Sequence, residues 1–258
     1  MLRFSANISM LFTERAFLER FQAAADAGFQ AVELQFPYNF APNKIGEARA
    51  KAGIEVAMFN LPAGNLEAGE RGIACLPERE AEFRKGVAWA GEYAEALQCS
   101  QVNALAGRLP DGADKKDAMY SLANSLAYAA KSMDERGIRV TLEAINDQAV
   151  PDYIVHRTNQ AMEAIELAGH PNLKLQADVF HMATMHEEVV LVLEKLGDRI
   201  GHIQFADFPG RHEPGTGELD FKAIFAAIKA SGYDGFVGAE YAPAGRTEEG
   251  LGWLKEFG

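Results

Sequence analysis

The feature that most constrains this chain is a rhythm. Short β-branched or apolar runs recur near residues 2–8, 30–35, 54–59, 100–104, 138–143, 173–178, 200–205 and 236–240, with longer stretches of helical period between them. The helical stretches show themselves by one apolar stripe each: Phe17, Phe21, Ala24 and Gly28; Phe83, Val87, Ala90, Ala94 and Leu97; Met119, Leu122, Leu126, Ala129 and Met133; Phe221, Ile224, Phe225 and Ile228. Strands that alternate with helices run parallel, and eight such units close most economically into a (β/α)8 barrel, an α/β fold. An open doubly wound sheet is the alternative. It would place a Gly-rich turn after the first strand, where residues 9–14 read SMLFTE instead. No low-complexity tract, charge block or Pro/Gly-rich linker divides the chain, so one domain over residues 1–258 is expected.

Side chains alternate across a strand, so each late run splits into a helix-facing and a barrel-facing set. In the fifth run Ile138, Val140 and Leu142 oppose Arg139, Thr141 and Glu143. In the sixth, Leu173, Leu175 and Ala177 oppose Lys174, Gln176 and Asp178. The seventh sets Ile203 and Phe205 against His202 and Gln204, and the eighth sets Val237 and Ala239 against Phe236, Gly238 and Glu240. The last inward residue of every late strand is therefore a carboxylate or carboxamide: Glu143, Asp178, Gln204 or Glu240. Such oxygens would crowd one another at the C-terminal mouth of a barrel unless a cation compensates them. A divalent metal does so most simply, and a set without Cys or His favours Mg²⁺ or Mn²⁺ over Zn²⁺. Asn7, Glu33, Gln35 and Asn103 are further inward candidates and read as polar lining. His156, His170 and His186 fall in helices or linkers and receive no chemistry.

Two connections are too long for simple turns, residues 60–80 and 206–220, and both follow strands on the face where barrel enzymes keep their active sites. Arg211 lies in the second, ahead of Gly215 and Gly217, which would let the loop fold over the mouth. Its planar fork suits a carboxylate. His181, three residues past Asp178, is placed to donate to a substrate oxygen.

Charge narrows the partners. With 25 Lys and Arg against 37 Asp and Glu the formal charge is −12, which repels a nucleic acid backbone at long range. An anionic small molecule would need local positive charge. No run reaches membrane-spanning length, and Ser5, Asn7 and Ser9 interrupt any apolar leader, so a cytoplasmic protein is expected. Cys75 and Cys99 stand in no metal or redox spacing and read as unpaired core thiols. A homo-oligomer is left open.

Specific segments add a resemblance. FSANISMLF (4–12), FPYNF (36–40), NLPAGNLEAGERGIACLPERE (60–80), LEAIN (142–146), ADVFHM (177–182), HIQFAD (202–207), HEPGTGELD (212–220) and EEGLGW (248–253) resemble the hydroxypyruvate isomerases, nearly end to end. The neighbouring 2-oxo-tetronate isomerase branch is also similar. The resemblance implies a xylose isomerase-like TIM barrel with metal ligands at Glu143, Asp178, Gln204 and Glu240, the positions reached by strand parity. It further implies that Glu143 and Glu240 are the acid/base pair, with hydroxypyruvate and tartronate semialdehyde interconverted through an enediolate. Ala242, where the family often has Lys, and DQAVPDY (147–153) depart from the pattern. A ketose 3-epimerase or a dehydratase on the same barrel is the nearest rival. An endonuclease IV-like nuclease would need a histidine-rich cluster and a basic groove, and a non-catalytic binding barrel would have no need of the glutamate pair.

Overall fold

Each expected strand forms and pairs in parallel with the next. The computed structural model describes residues 1–258, with β1 (Arg3–Asn7), β2 (Ala31–Leu34), β3 (Glu55–Asn60), β4 (Gln101–Ala104), β5 (Arg139–Glu143), β6 (Leu173–Asp178), β7 (Ile200–Phe205) and β8 (Phe236–Ala239). β8 pairs back onto β1, closing the barrel. Around it run α1 (Arg20–Asp26), α2 (Pro42–Ala52), α3 (Glu80–Leu97), α4 (Lys115–Asp134), α5 (Thr158–Ala168), α6 (Val179–Thr184), α7 (Val189–Leu196), α8 (Phe221–Ala230) and α9 (Gly252–Phe257).

The apolar stripes explain why these helices sit where they do. Phe83, Val87, Ala90, Ala94 and Leu97 of α3 are buried, as are Phe221, Ile224, Phe225 and Ile228 of α8, against the outward strand residues such as Val102, Val140, Leu142 and Val237. Ends are fixed locally. Asp114 caps α4 by accepting from the N–H groups of Lys116 and Asp117, and α2 and α5 stop at Gly53 and Gly169 in the left-handed region. The stripe beginning at Phe17 is shorter than its spacing suggests. Phe17–Glu19 form a 3-10 turn, α1 ends at Asp26, and Gly28 lies beyond it at φ +96, where only glycine is comfortable.

Below the mouth, the barrel interior is polar and satisfied. Glu33, fully buried, accepts hydrogen bonds from Ser5 Oγ (2.7 Å), His202 Nε2 (2.6 Å) and Gln204 Nε2 (2.8 Å). Gln176 Nε2 then donates to Gln204 Oε1 at 2.6 Å, and Thr141 Oγ1 to Gln176 Oε1 at 3.1 Å. Three strands thereby meet at one carboxylate, and the Gln204 and Gln176 amides extend the network to β6 and β5. Gly238 makes room for it, since a Cβ there would overlap the Glu33 carboxyl group. The three donors leave Glu33 nowhere to retreat, so Gly238→Ala should destabilise the fold by about 1–3 kcal/mol, the usual cost of overpacking. Urea unfolding measures this, and an unchanged midpoint would mean that the Glu33 network yields freely.

Candidate active site

Three of the four late strands deliver their last inward side chains to one mouth. Glu143 ends β5, Asp178 ends β6, and Glu240 follows β8 with its N–H held by Phe205 O at 3.0 Å. All are buried. Asn103 Nδ2 donates to Glu143 Oε2 at 3.2 Å and also to Asn60 Oδ1 at 3.0 Å. Asn7 Nδ2 and Gln35 Nε2 donate to Glu240 Oε1 at 2.8 and 3.2 Å. Residues read from the sequence as polar lining thus hold the two glutamates in place.

Asp178 has two jobs. Its Oδ1 caps α6, accepting from the N–H groups of Phe180 (2.7 Å) and His181 (3.4 Å). Its Oδ2 is buried without any hydrogen-bond partner. The cap also carries His181 back over the site. That residue, expected just past the strand, sits on α6 with Nε2 at 3.6 Å from Asp178 Oδ2 and 3.7 Å from Glu143 Oε1.

Arg211 closes the other side. Its Nη2 is 2.8 Å from Glu240 Oε2 and 4.0 Å from Asp178 Oδ2, and its guanidinium lies over the Phe180 ring at 5.1 Å. The loop that carries it is organised by Asp207, which the sequence reading passed over. This fully buried carboxylate accepts from the backbone N–H groups of Phe208, Gly215, Gly217 and Leu219 at 2.8–3.1 Å. The only sequence trace of that role is an acidic residue followed by closely spaced glycines whose N–H groups can turn toward it.

Glu143, His181, Asp178, Arg211 and Glu240 therefore form a continuous line of neighbours. Gln204 stands apart from it. It is paired in register with Asp178, but both ends of its amide are engaged below the mouth, by Glu33 and Gln176. Of the long 60–80 loop, Asn60 reaches the glutamates only through Asn103, while Gly72 bridges to Ala106 and Glu70 pairs with Arg79 at 2.7 Å.

Electrostatics follow from the crowding. Burial, reinforced by Glu240 and Asp178, pushes the Glu143 carboxyl group well above the usual carboxylate range. Burial also raises Glu240, although Arg211 opposes it. The His181 ring is held down to about 4, mainly by burial, with Asp178 opposing and Arg211 adding to the effect. The orphaned Asp178 Oδ2 and the grouping of Glu143, Asp178 and His181, with ligand atoms within 4.8 Å of one another, make a place that fits a cation.

A family model described as a xylose isomerase-like TIM barrel matches residues 21–257. The chain belongs to the xylose isomerase-like TIM barrel family. Within that family it is 44% identical to hydroxypyruvate isomerase of Escherichia coli (strain K12), covering 100% of both chains. It is 40% identical to 2-oxo-tetronate isomerase of Pectobacterium atrosepticum, covering 100% of this chain and 98% of that one. Among solved structures, a protein described as an AP endonuclease, family 2, from Brucella melitensis superposes with a TM-score of 0.97. It is 38% identical, over 100% of this chain and 99% of that one.

Proposed function

We propose that this barrel, one domain over residues 1–258, is an isomerase that interconverts hydroxypyruvate and tartronate semialdehyde, with the 2-oxo-tetronates as the alternative substrate class. The observation that carries the reading is the pair Glu143 and Glu240, buried across one mouth with raised proton affinities. Full-length relatives of 44% and 40% identity with isomerase names support it. The nuclease description of the Brucella melitensis protein is not carried over. A net charge of −12 repels a phosphate backbone at long range, which weighs against that reading.

The substrate and product differ by the position of one carbonyl. One glutamate removes a proton from the hydroxymethyl carbon of hydroxypyruvate, and the electron pair forms the C2–C3 double bond as the carbonyl oxygen becomes an oxyanion. The C3 hydroxyl then passes its proton to the C2 oxyanion and becomes the new carbonyl, while the electron pair of the double bond takes a proton on C2 from the partner glutamate. The roles exchange in the reverse direction. Burial that raises the proton affinity of both glutamates favours their exchanging protons with a carbon, one as base and the other as acid. Arg211 turns from Glu240 to the substrate carboxylate, which it can grip with both arms of its fork. His181 donates to a substrate oxygen.

A divalent cation, Mg²⁺ or Mn²⁺, would be held by Glu143 and Asp178, with Glu240 adding a further oxygen; Gln204, placed in the same set by strand parity, would have to release the hydrogen bond from Gln176 to join them. When bound it supplies electrophilic stabilisation of the developing oxyanion. The fit rests on the orphaned Asp178 oxygen and on an all-oxygen donor set that suits hard cations.

Glu143→Gln and Glu240→Gln should each lower kcat for hydroxypyruvate by at least about a hundredfold. Turnover near that of the parent in either variant removes that residue from proton transfer, and a parent inactive on hydroxypyruvate but active on a 2-oxo-tetronate moves the substrate to the alternative. Arg211→Lys keeps the charge and loses the fork, so kcat/KM should fall at least about tenfold for hydroxypyruvate and far less for an uncharged ketose. Equal losses on both would deny Arg211 the carboxylate. Exhaustive chelation should abolish most activity, and Mg²⁺ or Mn²⁺ should restore it. Full activity in protein shown by elemental analysis to be metal-free would exclude the cation from the reaction.

A further inference from the structure

Asn146 lies three residues beyond Glu143 and is 1% exposed. Two of its donors converge on one atom. Its backbone N–H and its side-chain Nδ2 stand 3.3 and 2.6 Å from His181 Nδ1. The amide cannot be read the other way round, because Asn146 Oδ1 accepts the Ala149 N–H at 2.7 Å. The backbone N–H can only donate whatever the side chain does, so Nδ1 must present its lone pair.

The consequence falls on the other ring nitrogen. A neutral imidazole carries a single proton, and with Nδ1 bare that proton is on Nε2. An imidazolium is disfavoured by the same geometry, since a proton on Nδ1 would meet two N–H groups. Nε2 faces the mouth, and its distances of 3.6 Å to Asp178 Oδ2 and 3.7 Å to Glu143 Oε1 leave the N–H unspent on either carboxylate. By proximity alone His181 would count as a third ligand beside Glu143 and Asp178. A nitrogen that bears its proton has no lone pair to give a cation.

We propose that Asn146 is a positioning residue that locks His181 as the Nε2–H tautomer, making it a neutral hydrogen-bond donor to the substrate oxygen on which negative charge develops and withholding it from any metal. The donor role rests on the isomerase reading above, whereas the tautomer does not. A neutral donor aimed in advance stabilises the oxyanion without reorganisation during the reaction. Asn146 thereby decides between two chemistries of one ring.

Nitrogen NMR of protein labelled with ¹⁵N in the histidine rings reads the tautomer directly, because protonated and bare ring nitrogens resonate well apart. The spectrum of His181→Gln identifies the His181 signals. In the parent, Nε2 should be protonated and Nδ1 bare. Asn146→Asp places an acceptor against Nδ1 and should move a proton there, with kcat for hydroxypyruvate falling by about 10–100-fold, as is usual when an orienting partner is altered, and KM changing less. Asn146→Ala retains the backbone donor and should keep the Nε2–H form, which preserves the test if the Asp variant does not fold. A parent protonated on Nδ1 overturns the proposal, and so does an Asp variant that keeps the Nε2–H form or loses it with unchanged turnover. A parent with the expected ring spectrum but no isomerase activity defeats the isomerase reading and leaves the tautomer assignment standing.

Discussion

Everything at the mouth of this barrel answers to the cost of burying three carboxylates together. Glu143, Asp178 and Glu240 are each at least nine-tenths buried, and a charge taken out of water without a partner is among the most expensive features a fold can hold. The fold meets that cost by several routes. Carboxamides from β1, β4 and the loop after β2 donate to the two glutamates, one guanidinium pairs with Glu240, and the glutamates resist ionisation. Asp178 is met on one oxygen only, by the N-terminus of α6, and its other oxygen is left without a donor.

That compensation reaches outward through the loop after β7. Arg211 can stand beside Glu240 only because Asp207 gathers four backbone N–H groups and closes the chain upon itself. The loop is then stitched to its neighbour, with Ala242 N–H donating to Arg211 O and His212 Nδ1 against Ala242 O. A buried carboxylate that makes no hydrogen bond to the site's side chains thus governs where the site's one close cation lies. Ala242 takes part through its backbone alone, so its departure from the usual family residue leaves this stitching intact.

Much of this was legible in the chain. Strand parity placed Glu143, Asp178, Gln204 and Glu240 at one end of the barrel because the pleat has a strict period of two and a closed barrel has a single inside. The parity could not tell which inward residues reach the mouth and which are used beneath it. Gln204 is inward as expected, yet its amide is oriented by Glu33 and Gln176, and Glu33 itself is the hub of the interior rather than part of a lining. Asn146 and Asp207 were overlooked because neither falls on a strand, where periodicity applies.

The sequence by itself determined the eightfold alternation, the helix faces, the inward register and the chemical character of the donor set, since these depend on spacing and residue type within single elements. Tertiary structure alone decided which carboxylate Arg211 pairs with, which oxygen of Asp178 is orphaned and which nitrogen of His181 carries the proton. Those outcomes depend on the approach of atoms from loops after different strands, separated by 29 residues for Arg211 and Glu240 and by 35 for Asn146 and His181. No periodicity within one element records such a meeting, because it exists only once the barrel has closed.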